Sequence, residues 1–156
     1  MRVVSRSQLA AWGGPRGEPR WARVTAALTR AQPGGVVAAD VAHSLGDSLT
    51  YRRTEAQQLV GGPLRGHRRY LVLLAPLDAA LQVEVAPQAE LAAAGPYSDL
   101  SDCQLFTPPP AGLDAVEVAA GRVGIVEIVE AARVRAGRGN VVVLRVTVEG
   151  TDVAQL

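Results

Sequence analysis

The chain has 156 residues, a formal net charge of +1, one cysteine, two histidines and sixteen strongly basic residues, all of them Arg. A lone cysteine excludes an internal disulfide, one cysteine with two histidines falls short of an ordinary structural zinc site, and no apolar run approaches the roughly 20 residues of a membrane helix. The small net charge conceals two opposed blocks: residues 1–70 carry 11 Arg against Glu18, Asp40, Asp47 and Glu55, whereas residues 71–156 carry 5 Arg against 11 acids. The lack of Lys, with Asn only at Asn140, is what GC-rich coding produces, so the Arg excess is only partly selected chemistry. Arg6 and Gln8 interrupt any apolar leader, and the sequence reads as a soluble, intracellularly made protein.

In chain order, Pro19 predicts a helix start, with Trp21, Val24 and Leu28 on one face and Arg20, Arg23 and Arg30 elsewhere; Gln32-Pro33-Gly34-Gly35 ends it. Val37, Val41 and Leu45 recur at every fourth position and predict a second helix, stopped by Gly46. Asp47 or Ser48 then caps a third segment running to Val60, closed by Gly61-Gly62-Pro63. From Arg69 the period becomes extended: Tyr70 to Leu74 is a continuous apolar run, Leu81, Val83 and Val85 alternate with polar residues, and Pro76-Leu77-Asp78 joins the two as a hairpin. Residues 92–96 and 107–110 are proline-bearing loops and the expected flexible or partner-contacting stretch.

Arg122 to Arg135 and Val141 to Glu149 read as β-rich runs around the turn Ala136 to Asn140. In the second run Val142, Leu144, Val146 and Val148 share a buried face, and Arg145, Thr147 and Glu149 a wet one. Glu127 and Glu130 fall on opposite faces of a regular strand, which predicts a bulge near Glu130-Ala131-Ala132. The fold class is therefore α+β: a short, Arg-rich, mainly helical lobe over residues 1–66, then an acidic lobe over 67–156 built as an antiparallel β-barrel or sandwich, packed as one compact unit. Leu71, Leu73, Val83, Val142, Leu144 and Val146 are the predicted β core.

Candidate catalytic residues are sparse. His67, in Arg65-Gly66-His67-Arg68-Arg69, reads as part of an exposed basic loop whose cations depress its proton affinity. His43 reads as a partly buried helical histidine, and neither has a Ser, Cys or carboxylate at triad spacing. Cys103 reads as a small buried hydrophobe, its thiolate disfavoured by Asp102. The glycine-rich pieces at 13–17 and 61–66 lack the spacing of a phosphate loop and carry prolines. No catalytic residue, cofactor or metal is expected.

The basic half suits nucleic acid. Ala39 to Ser48 looks like the first helix and turn of a helix-turn-helix, with Ala42 at the crossing and Gly46 at the turn. Arg52, Arg53, Gln57 and Gln58 would then occupy the recognition helix and Arg65 to Tyr70 a wing, although Asp47, Arg52 and Glu55 stand where that helix needs apolar residues. A winged-helix DNA-binding regulator with a β dimerisation or sensing lobe, located in the cytoplasm, is the alternative reading.

Gly121-Arg122-Val123-Gly124-Ile125-Val126-Glu127-Ile128-Val129, followed by an Arg-bearing turn and a Val/Leu strand to Glu149, resembles the closing hairpin of small β-barrel connector proteins at the head-to-tail junction of tailed phages. His67 to Leu74 is similar to an earlier strand of those barrels. The chain departs from the pattern at Gly124, where that family tends to place an aromatic after Gly-Arg, and in its longer helical first half. The resemblance implies a non-enzymatic structural protein of the virion, assembled in the host cytoplasm, that docks to copies of itself and to other structural proteins. A basic lobe facing the acidic lobe of the next copy can close a ring by a heterologous contact. The interaction candidates are Arg52, Arg53, Arg65, Arg68 and Arg69, with Asp99, Asp102, Asp114 and Glu117 as acidic counterparts.

Overall fold

The computed structural model describes residues 1–148. Its elements are β1 (Arg2–Ser5), α1 (Arg6–Trp12), α2 (Pro19–Arg30), β2 (His43–Ser44), β3 (Leu49–Glu55), β4 (Leu64–Gly66), β5 (Tyr70–Pro76), β6 (Leu81–Pro87), β7 (Ala92–Ala93), β8 (Gln104–Thr107), β9 (Ala115–Val118), β10 (Arg122–Val126), β11 (Glu130–Ala136) and β12 (Asn140–Thr147). Ser5 and Gln8 form a capping box that starts α1: Ser5 Oγ accepts from the Gln8 amide, and Gln8 Oε1 accepts from the Ser5 amide. The predicted helix does begin at Pro19, with Trp21, Val24, Ala27 and Leu28 buried. Just past its end, Arg53 Nη1 donates to Ala31 O at 3.2 Å and Gln32 O at 2.9 Å, bringing a cation to the negative end of the helix.

The strands form two open antiparallel sheets. The first has the order β1-β10-β5-β12-β3-β2 and the second β7-β8-β4-β11-β6-β9. Leu71, Leu73, Val142, Leu144 and Val146 point from the first sheet into a core shared with Leu9, Trp21, Val24 and Leu28 of the helices. Leu74 and Val141, on the opposite face of the same sheet, pack against Leu81, Val83, Val118 and Val134 of the second. The order of layers is thus helices, first sheet, second sheet. The α+β class with a sandwich-like lobe holds, without a closed barrel, and the predicted core residues are all buried. No helix among the described residues is long and apolar enough to cross a membrane.

Five local expectations are corrected: two helices, two hairpins and a bulge. Residues 37–45 and 47–60 do not form helices. β3 alternates instead, with Leu49 and Tyr51 buried and Thr50 and Arg52 exposed, because β-branched Thr50 and Thr54 and aromatic Tyr51 suit a pleated chain. Only Ala56–Leu59 curls, as a single 3-10 turn. Upstream, Asp40 takes a positive φ of 61° and its amide donates to Arg53 O at 2.7 Å, which diverts the chain from helix into a short bridge against β3.

Neither expected hairpin forms. β5 and β6 lie in different sheets, as do β11 and β12, so each tight connection is a corner where the chain steps between layers. The two corners are tied together: Leu77 N donates to Asn140 O, and Asp78 Oδ2 accepts from Asn140 N at 2.7 Å and Nδ2 at 2.9 Å. Gly139, at φ 73°, is required there, because a Cβ would stand 2.8 Å from the Asp78 side chain. The predicted bulge at Glu130–Ala132 is absent. Glu127 and Glu130 flank a turn, with Glu130 N donating to Glu127 O at 3.0 Å, and the register of β11 against β6 shifts at Val134–Ala136 instead. The division at residue 66 does not separate layers, since β3 and β4 pair with β12 and β11. The expectation for Glu149 lies outside the described residues.

Leu144 is fully buried between the helices and the first sheet. Leu144→Ala is expected to cost about 2–5 kcal/mol in denaturant unfolding. An unchanged midpoint would show that this face does not point into the core.

Candidate functional site

Antiparallel register sets which side chains face the gap between the sheets. On the first sheet Arg52 of β3 lies opposite Val143, which lies opposite Leu74. One step along, Arg145 of β12 lies opposite Val72, which lies opposite Val126. On the second sheet Arg65 of β4 lies opposite Ala132 of β11. These residues, with Val134, the 58–63 loop and His67, line one cleft of about 400 Å³. Its lining mixes apolar residues, chiefly valines, with polar ones, and its charged groups are arginines.

The sheets meet closely on the other side and leave the cleft on this one. Beside β9 they approach so closely that a Cβ on Gly124 would stand 3.0 Å from Val118 and 3.1 Å from the Met1 sulfur. A larger residue at 124 would press on the Val118 and Met1 side chains. Toward β3 and β4 the strand positions on the facing sides carry Arg52, Arg65 and Arg145, all three exposed to solvent at the cleft, as charged side chains usually are.

Among the described residues, no ion pair or hydrogen bond engages the guanidinium of Arg52, Arg65 or Arg145. Arg133, also at the cleft, is neutralised by Glu84 and donates to Gly62 O. His67 is buried rather than exposed, which corrects the loop expectation. Its Nδ1 meets Asp102 O, and burial pulls its proton affinity down, opposed by that hydrogen bond and reinforced by Arg145 and Arg65. The imidazole therefore favours its neutral form, Nδ1–H donating to the carbonyl and Nε2 left as an acceptor.

Asp102 holds this corner. At φ 45° it takes a left-handed conformation that Asp and Asn tolerate. Burial opposes its ionisation, but the Tyr97 hydroxyl and the amides of Arg69 (2.9 Å) and Arg68 (3.0 Å) donate to it and keep its carboxyl below the ordinary range. It braces the chain entering β5 and is not a surface group for a partner. Gln88 adds a second brace, Nε2 donating to His67 O, Ile128 O and Glu130 O.

The other sequence candidates scatter. Arg53 caps α2, Arg69 pairs with Asp99, and Arg68 lies 3.8 Å over the Tyr97 ring. Glu117 accepts from Gln82 Nε2 at 3.0 Å on β9, and Asp114 is exposed just before that strand. The two charge blocks are largely interleaved, because strands from both halves share sheets: Met1 N and Arg2 pair with Glu130 and Glu127. Arg52 and Arg65 reach the cleft, and Arg145, placed on a wet face by its alternation, completes the trio. His43 of β2 stacks on Tyr51 of β3, its Nε2 buried and without a partner among the described residues, and Cys103 is half-buried. Arg52, Arg53, Gln57 and Gln58 belong to a strand and a turn, so they form no recognition helix. No family model matches the chain.

Asp102 adds a titration signature. A depressed carboxylate stabilises the fold fully above its unfolded value of about 3.9 and loses that contribution as pH falls through the folded value. Denaturant unfolding of wild type and Asp102→Asn should therefore differ most near neutrality and converge as pH drops from about 5 toward 2. A gap that stays constant over that range would contradict the ionised, hydrogen-bonded assignment.

Proposed function

We propose that the protein is a non-enzymatic assembly component, a virion protein of the connector type in tailed phages, that docks to neighbouring structural subunits by opposed charge. The reading rests on the charge left over after internal pairing. Among the described residues Arg52, Arg65 and Arg145 form no ion pair at the open side of the sandwich, and Asp114 and Glu117 are exposed just before and on β9, the far edge of the second sheet; other exposed charges without an ion pair, Arg122, Arg135 and Glu55 among them, lie elsewhere on the surface. A cationic flank and an anionic edge on one subunit form a heterologous contact, which propagates head to tail and closes a ring when the rotation permits. The sequence resemblance points to the same class through segments that fall on β5, β10 and β12 of the first sheet, although the stretch likened to a closing hairpin crosses both sheets and the sandwich is not a closed barrel.

Light scattering gives the test. At about 0.05 M salt the chain should exceed monomer mass in a concentration-dependent way, and about 0.5 M salt should dissociate it. Replacing Asp114 and Glu117 together by Arg should abolish association with the monomer still folded. A strictly monomeric mass at low salt and high protein concentration, with no capture by acidic subunits, would overturn the reading.

A further inference from the structure

The arginine trio implies a ligand as well as a surface. Charges of one sign on facing sides of a sandwich repel, and each guanidinium presents several donors that no group among the described residues accepts. Between them run Val72, Leu74, Val126 and Val143 from one sheet and Ala132 and Val134 from the other. A volume of about 400 Å³ falls in the range of small-molecule sites. A bare inorganic anion would satisfy the cations and leave those walls wet. A purely apolar molecule would fill the walls and leave the cations unanswered.

We infer that this cleft binds a small amphipathic carboxylate, an aliphatic chain whose terminal carboxylate is held by Arg52, Arg65 and Arg145 while its methylenes lie against the valine-rich walls. Arginine suits this headgroup, because a planar guanidinium meets a carboxylate with two parallel N–H donors. His67 supplies Nε2 at the margin. When the headgroup is bound, its negative charge offsets the Arg145 and Arg65 fields that now disfavour the imidazolium. Asp102 also bears on the ring, through its carbonyl as hydrogen-bond acceptor and through its carboxylate charge, both favouring the imidazolium and both present with or without ligand, so His67 reports occupancy without carrying the binding. The ligand lies within one chain, and the inference holds whether or not copies associate.

Calorimetry and NMR on the full chain test it with decanoate as probe, inorganic phosphate and acetate as headgroup controls, and decyltrimethylammonium as a chain of opposite charge. Decanoate should bind saturably with one site per chain, shift the His67 ring resonances and raise the pH at which they titrate. Acetate, phosphate and the cationic chain should each bind at least tenfold more weakly, since they keep only one of the two complementary features. Arg52→Gln and Arg145→Gln should each weaken decanoate by roughly tenfold or more, the amide retaining hydrogen-bonding capacity but not charge. Arg122→Gln, far from the cleft, should leave it unchanged. Equal binding of decanoate and decyltrimethylammonium, or undiminished decanoate binding by folded Arg52→Gln and Arg145→Gln variants, would overturn the assignment. Binding by a protein that stays monomeric at low salt would uphold the site and remove the assembly reading, and association without decanoate binding would do the reverse.

Discussion

Three like charges held on the inner faces of one sandwich constrain the rest of this structure. A two-sheet domain is stabilised by closing its inner faces over an apolar core. Here that closure is complete at Val118, Leu81, Val83 and Val141 and stops at Arg52, Arg65 and Arg145. The sheets meet closely where Gly124 admits Val118, and on the other side a cleft of about 400 Å³ opens where the three exposed arginines stand. The cations at that place are the feature that a function must explain.

The cleft survives because the other connections of the fold are well determined. Helices cover the outer face of the first sheet, and Arg53 ties the end of α2 to β3. The corners at Asp78 and Asn140 lock the steps from one sheet to the other. Asp102 and Gln88 fasten the segment carrying His67, so the imidazole and Arg65 have a fixed setting beside the cleft. Stability supplied by these contacts lets the inner faces keep an electrostatically unfavourable group of side chains, as functional sites commonly do.

Much of the fold was legible in the residues, for identifiable reasons. Pro19 and the spacing of Trp21, Val24 and Leu28 carry the helix, and the alternation of Val142, Leu144 and Val146 carries the buried face. The failures came where local pattern and pairing diverge. Val37, Val41 and Leu45 match a helical period, yet Asp40 at positive φ breaks the chain between them. Thr50, Tyr51 and Thr54 did mark a strand, and the charges around them obscured it. Short connections after β5 and β11 suggested hairpins, whereas sandwich corners of similar length send the chain to the other sheet. The site was half visible: Arg52 and Arg65 stood out as basic residues, but Arg145 joins them only once β12 is set in register between β3 and β5. The apparent charge dipole misled because antiparallel pairing brings Arg2 to Glu127 and the N-terminus to Glu130.

The most direct test of the account is the thermal stability of the ligand-free protein in which Arg52, Arg65 and Arg145 are all replaced by Gln, followed over a range of salt. If the trio is an unneutralised binding group, removing it raises Tm at low ionic strength, and the gain shrinks as salt screens the repulsion. A lowered Tm at low salt would mean that the three cations are satisfied within the fold and hold it together, which contradicts the account.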